Sequence, residues 1–161
     1  MSTKAETLAA LRAEFDRWQA ILSNLTDAQI HTPQSPSHWT VKDVVAHLWA
    51  WQSRTLARVQ AAVDGTAPQY EPWPPQFDPE VPEEPDDLNA WLYDAYRDRP
   101  WAAVYADWQS RYQRIIALAA AIPEPDLADP VRFDWLGTHA LGFILRASAH
   151  HHAEHRGWLI V

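Results

Sequence analysis

The 161-residue sequence contains no cysteine. Disulfides and thiolate ligands are thereby excluded, and a zinc-like site built by this chain must use histidine, carboxylate and water. The sequence also lacks a continuous apolar run of about 18 residues, and no apolar core follows the amino-terminal Met1-Ser2-Thr3-Lys4-Ala5-Glu6. No membrane span or secretory leader is expected, and the chain reads as cytoplasmic. Positive charge is scarce: 13 Lys and Arg stand against 21 Asp and Glu, a formal charge of −8. No basic stripe is evident to neutralise phosphates, so neither nucleic acid nor an anionic membrane surface is expected as a partner.

What is present points to one globular domain over residues 1–161, long enough to bury a core without staples. Apolar residues make up 47% and charged residues 21%, ordinary values for a soluble protein. Ten tryptophans are not ordinary. They imply either a heavily aromatic core or a cavity with aromatic walls.

Thr3 followed by Glu6 has the form of a capping box, and Leu8, Leu11, Phe15, Trp18, Leu22 and Leu25 then recur at helical spacing, predicting a first helix from Lys4 to Leu25. Thr26 to Gln29 reads as a cap and short turn. Thr40 with Asp43 opens a second long helix that stops at Asp64-Gly65. On a wheel with Val44 at zero, Leu48 falls at about 40°, Trp51 at about −20° and His47 at about −60°, so His47 borders the buried stripe. Lys42, Arg54 and Arg58 carry polar character elsewhere. His47 is then either a core histidine bonded to a carbonyl or hydroxyl, or a ligand facing a cavity.

Residues 66–85 change texture, with prolines at 68, 72, 74, 75, 79, 82 and 85 among Tyr70, Trp73, Phe77 and several acids. Neither a helix nor a central strand survives that density of proline. The segment is either an ordered strap whose aromatics wall a pocket or a solvated acidic crossover. Leu88 to Arg97 follows as a helical piece. Pro100 sits as the first residue of a helix running to Ile122, and residues 126–137 are expected to be irregular, pairing briefly with another segment.

The last helix begins near Thr138 or His139 and carries His150-His151-His152-Ala153-Glu154-His155-Arg156-Gly157-Trp158. With His151 at zero, Ile144 lies at about 20°, His155 at about 40°, Trp158 at about −20° and Glu154 at about −60°, while His152 falls on the far side. His151 and His155 therefore share one face, close enough for a common ion, and His47 is the best third ligand. Four long amphipathic helices without a credible strand pattern give an all-α four-helix bundle, with a long Pro-rich crossover between the second and third long helices.

The segments Trp39-Thr40-Val41-Lys42-Asp43-Val44-Val45-Ala46-His47-Leu48, Leu88-Asn89-Ala90-Trp91 with the Trp101 to Trp108 stretch, and the terminal His151 to Gly157 run resemble the DinB/YfiT-like superfamily of four-helix-bundle proteins, and most of all its ClbS/DfsB branch. The resemblance implies a divalent metal, zinc or nickel, held by His47, His151 and His155, with Trp51, Trp158, Glu154 and Trp73 around the pocket. It further implies a metal-dependent enzyme, a hydrolase or a transferase, that activates water or a low-molecular-weight thiol against a small electrophilic substrate. The ClbS branch suggests instead protection against a reactive natural product without metal, and a non-catalytic binding protein is a further reading. Glu154 and Asp43 are the acids placed to orient the imidazoles. By analogy of architecture, a homodimer is expected.

Overall fold

The computed structural model describes residues 3–71, 73–80 and 85–161. Among them every regular element is helical: α1 (Lys4–Leu22), α2 (Asp27–His31), α3 (Val41–Asp64), α4 (Pro85–Tyr96), α5 (Trp101–Ala121), α6 (Glu124–Ala128), a single 3-10 turn (Asp134–Leu136) and α7 (Leu141–Trp158). None of these helices is long and apolar enough to cross a membrane.

The starts of α1, α2 and α3 are written in the local sequence. Thr3, Thr26 and Thr40 each accept a hydrogen bond from the backbone three residues on, and the Glu6, Gln29 and Asp43 side-chain oxygens accept one from the backbone N–H of the cap residue. Two of the first turn's unpaired N–H groups are satisfied each time. Gly65, at φ 67°, takes the left-handed conformation that ends α3. The first helix stops at Leu22 rather than Leu25, because the Thr26 cap immediately begins another element. Residues 126–137 do not pair with another strand. Their short helix α6 carries Pro125 in its first turn, where a missing N–H removes no helical bond.

The long helices α1, α3, α5 and α7 form the bundle: α1 packs on α5 and α7, and α3 packs on the same two. The Pro-rich crossover thus joins two packed neighbours, α3 and α5, while α1 with α3 and α5 with α7 stand diagonally across the bundle. Leu11, Trp18, Leu48, Trp108, Tyr112, Ile115, Leu141 and Leu145 fill the centre. Of the Pro-rich crossover, Trp73 and Phe77 pack with Trp51 and Leu88 in a satellite cluster beside α4. Its Pro72, Pro82, Glu83 and Glu84 lie outside the described residues.

The wheel expected for α7 needs correction at His152. Rather than facing away, His152 is 0% exposed and sits among Trp18, Trp108 and Tyr112. The Trp108 indole N–H points at its Nε2 over 3.3 Å, so its Nδ1 carries the proton and donates to the Ser148 carbonyl at 3.0 Å. Burial pushes this ring down to about 3, which keeps it neutral. The reason is that α7 has two buried faces, one against α1 and one against α3. Leu141, Leu145, Ala149 and His152 form the first, and Trp18 donates to the His152 carbonyl across it at 3.1 Å. Arg156 prolongs this face, binding the buried Glu14 carboxylate of α1 through two nitrogens at 2.7 and 3.2 Å.

Candidate metal centre

The second face of α7 meets α3, and there the structure brings His47, His151 and His155 together. His151 and His155 lie one helical turn apart, and their Nε2 atoms are 3.1 Å from each other. His47, from the facing helix, places its Nε2 3.3 Å from that of His151. One nitrogen from each of the three lies within 4.8 Å of the others.

Protons alone do not satisfy this arrangement. A neutral imidazole nitrogen presents either one N–H or one lone pair, so His151 Nε2 makes one good hydrogen bond and not two. A cation at the point of convergence satisfies all three lone pairs. Tetrahedral coordination with metal–nitrogen bonds of about 2.0–2.1 Å sets ligand nitrogens about 3.3–3.4 Å apart, against 3.1 and 3.3 Å for the two pairs that share His151 and no more than 4.8 Å for His47 with His155. The donor set therefore fits a divalent ion.

Electrostatics agree. Burial, reinforced by the neighbouring His155 and His151, holds His47 well below its ordinary value. Burial also lowers His151, against the opposing pull of Glu154, and takes His155 down to about 4 with help from His151. All three rings are neutral at neutral pH, the form a metal requires.

Aromatic packing, rather than hydrogen bonding, orients the rings. His47 Nδ1 and His155 Nδ1 are buried without a partner among the described residues. Asp43 does not reach His47, because its carboxylate is occupied by the Thr40 backbone and hydroxyl at the start of α3. The Glu154 carboxylate stands 3.6 Å from His150 Nδ1. Trp39 packs on His47 with centroids 5.2 Å apart, Trp158 packs on His155 at 4.4 Å, and Trp51 stands about equally far from His47 and His151, at 6.2 and 6.1 Å.

The triad forms the floor of a cleft of about 1090 Å³ whose lining is mostly apolar. Trp51, Glu154 and Trp158 line it, and Trp158, 65% exposed, stands at the rim. Trp73 does not line it. It stacks edgewise on the far side of Trp51, at 5.9 Å, and so supports the wall without forming it. The opposite wall comes from residues 34–39 and from α4, which sequence reasoning missed. Trp39 and Tyr93 stack there at 5.7 Å with planes 7° apart, and Asn89 Oδ1 accepts the Trp51 indole N–H at 2.9 Å. A signal for both existed: Trp39 directly precedes a helix cap, where an apolar residue folds onto the first turns, and Tyr93 is one turn from Asn89.

The sequence model of the DinB superfamily matches residues 3–159 of the chain. No curated protein is matched at a significant level. Among solved structures, the chain is similar to the colibactin self-resistance protein ClbS in complex with a dsDNA, at a TM-score of 0.75 and 19% identity over 99% of this chain and 94% of that one. It is similar also to a protein from Streptococcus pneumoniae, at a TM-score of 0.74 and 16% identity over 100% and 93% of the two chains. An uncharacterised protein from Escherichia coli UTI89 follows at 0.75 and 17%, over 99% and 91%. The first of these corrects the exclusion of nucleic acid, since a protein of the same fold is seen on duplex DNA. Net charge sums over a whole molecule, whereas a duplex meets one face of it, so a total of −8 does not decide the matter.

Proposed function

The chain belongs to the DinB superfamily, and on that premise we propose that it is a metal-dependent enzyme acting on a small electrophile, with His47, His151 and His155 holding one divalent ion such as zinc or nickel. The observation that carries this reading is the convergence of three neutral Nε2 atoms from two facing helices at spacings suited to coordination. Such an ion, when bound, lowers the pKa of water or of a thiol and so supplies an anionic nucleophile at neutral pH.

The protein's own side chains do the rest. Burial keeps the imidazoles unprotonated and available. Trp39, Trp51 and Tyr93 give the substrate an apolar bed and displace water from it. The Asn89 amide, fixed by the Trp51 indole, holds that wall in place. Glu154, presented to the cleft by α7 three residues after His151, is the acceptor for the proton released at the nucleophile.

The test is metal content by elemental analysis of tag-free wild type beside His47→Ala and His151→Ala. About one ion per chain in the wild type, absent from both variants, is expected. Wild-type protein that stays metal-free after reconstitution would sink the enzyme reading. A second reading, a protective protein that binds or hydrolyses a reactive natural product without metal, is supported by the size and aromatic character of the cleft and by the likeness to ClbS. That likeness also makes duplex DNA a partner to assay: binding that persists in His47→Ala would favour this second reading.

A further inference from the structure

Behind the triad lies a second cavity of about 390 Å³ between α3 and α7. Trp51 and His151 line both spaces, so the two meet at these side chains. The second cavity differs in its polar chemistry. Gln52 is only 2% exposed, yet its Nε2 and its Oε1 both lack a hydrogen-bond partner among the described residues. Arg54 Nε, also buried, is likewise without one. These are the atoms a folded chain normally satisfies, and they border a space large enough for a ligand.

The two arginines of the cavity are not equivalent. Arg58 is compensated: its Nη2 donates to Glu80 at 3.0 Å and its Nε to the Tyr70 hydroxyl at 3.3 Å, and that hydroxyl bonds Glu80 in turn. Arg54 instead lies over the faces of Trp51 and Trp73, 5.4 and 5.7 Å from their centroids, and forms no ion pair among the described residues. Burial, and then the charge of Arg58, lower Arg54 to about 10, with Glu80 and Asp78 opposing. An anion in the cavity relieves that strain on the guanidinium.

We propose that this cavity binds the carboxylate of the small molecule handled at the triad, with the Arg54 guanidinium as its cationic partner and the Gln52 amide as its second contact. One guanidinium without an ion pair among the described residues suits a monoanion, and its planar fork matches a carboxylate. Gln52 adds a requirement: its Nε2 donates to the carboxylate, and its Oε1 needs a donor, so the ligand carries an O–H or N–H next to the acid group. Hydroxy and amino acids, and conjugates that end in them, have this pattern. The carboxylate would then lie behind His151 while the reactive part of the molecule faces the cleft. This names the substrate class of the function proposed above, and rests on that function for the reaction alone.

The experiment uses metal-free protein and 15N–1H spectra of the Gln52 amide and Arg54 Nε–H groups. Glycolate is titrated in, with acetate, ethylammonium and chloride at equal ionic strength as comparisons. Glycolate is expected to shift both signals saturably, acetate more weakly, and the other two not at all. Arg54→Gln, read through the Gln52 amide, should weaken glycolate binding about tenfold or more, the value of one charge-assisted hydrogen bond. Should that variant fold poorly, Arg54→Lys, which keeps the charge and loses the fork, should still bind several-fold less tightly. Gln52→Leu should abolish the preference for glycolate over acetate. No saturable shift, or equal affinity in the Arg54 variants, would overturn the site whatever the triad holds. Intact glycolate binding in a chain that takes up no metal would leave the site standing and remove the enzyme reading instead.

Discussion

Replacing His47 by alanine should remove the metal-dependent part of the protein's stability while leaving the metal-free fold nearly untouched. In the absence of an ion, His47 Nε2 faces another imidazole nitrogen at 3.3 Å, and its Nδ1 has no partner, so the ring contributes packing on Trp39 and little polar stabilisation. A ligand present at about a hundred times its dissociation constant stabilises a folded chain by about 2.7 kcal/mol. For a domain of this size each kcal/mol moves the melting temperature by about 2–4 °C, so zinc should raise it by about 5–10 °C in the wild type. Two histidines on one turn remain in His47→Ala, and the rise should vanish at the same zinc concentration. Differential scanning fluorimetry of both proteins, with and without a chelator, reads this directly. An equal rise in His47→Ala would refute the three-ligand site, and collapse of the metal-free variant would refute the claim that the ring is not structurally required.

Three other outcomes are expected. Glu14, 3% exposed and held by Arg156 at 2.7 and 3.2 Å, joins α1 to α7, and Glu14→Gln should destabilise by about 2–3 kcal/mol in urea unfolding. That lies below the penalty for a fully buried pair because Arg156 remains partly exposed and rehydrates, and a loss under about 0.5 kcal/mol would refute the tie. Metal-free protein should lose stability as pH falls: His152, depressed to about 3 when folded and titrating near 6.5 when unfolded, contributes fully above 6.5 and progressively less below it. The share of His152 is about 1.4 kcal/mol at one pH unit below its unfolded value. His47, His151 and His155 add in the same sense, so His152→Gln should show a shallower slope than wild type, and equal slopes would contradict the buried neutral ring. Finally, Tyr93→Ala should weaken a hydrophobic cleft ligand about threefold to tenfold, the worth of one aromatic contact, without changing metal content. Metal loss in that variant would show the wall to be part of the triad's support.

The helices were legible because their ends are chemical. Thr3 with Glu6, Thr40 with Asp43, and Gly65 declare boundaries through bonds made within a few residues. The meeting of His47 with His151 and His155 was legible in part, since helical phase put each on a face that a neighbouring helix could meet. Phase along one helix does not say how many neighbours that helix has. For this reason His152 was misplaced: α7 has two buried faces, and the second is defined by contacts with α1 that no wheel contains. The same limit hid Trp39 and Tyr93, which come from separate segments, and left Arg54 and Arg58 as polar positions off the buried stripe although they border a cavity. The Pro-rich crossover advertised its aromatics, but Trp73 and Phe77 buttress Trp51 from outside and do not line the cleft.

His151 and His155 on α7 are separated by one turn of helix, a length that peptide geometry fixes, whereas His47 stands on α3, whose distance from α7 is set by side-chain packing. The centre is therefore a calliper with one fixed jaw and one adjustable jaw. Ions of different radius would be accommodated chiefly by sliding or tilting α3 against α7, and substitutions at that seam, far from any ligand atom, would retune which ion is preferred. The thickness of what lies between these two helices would therefore set which ion the three histidines suit.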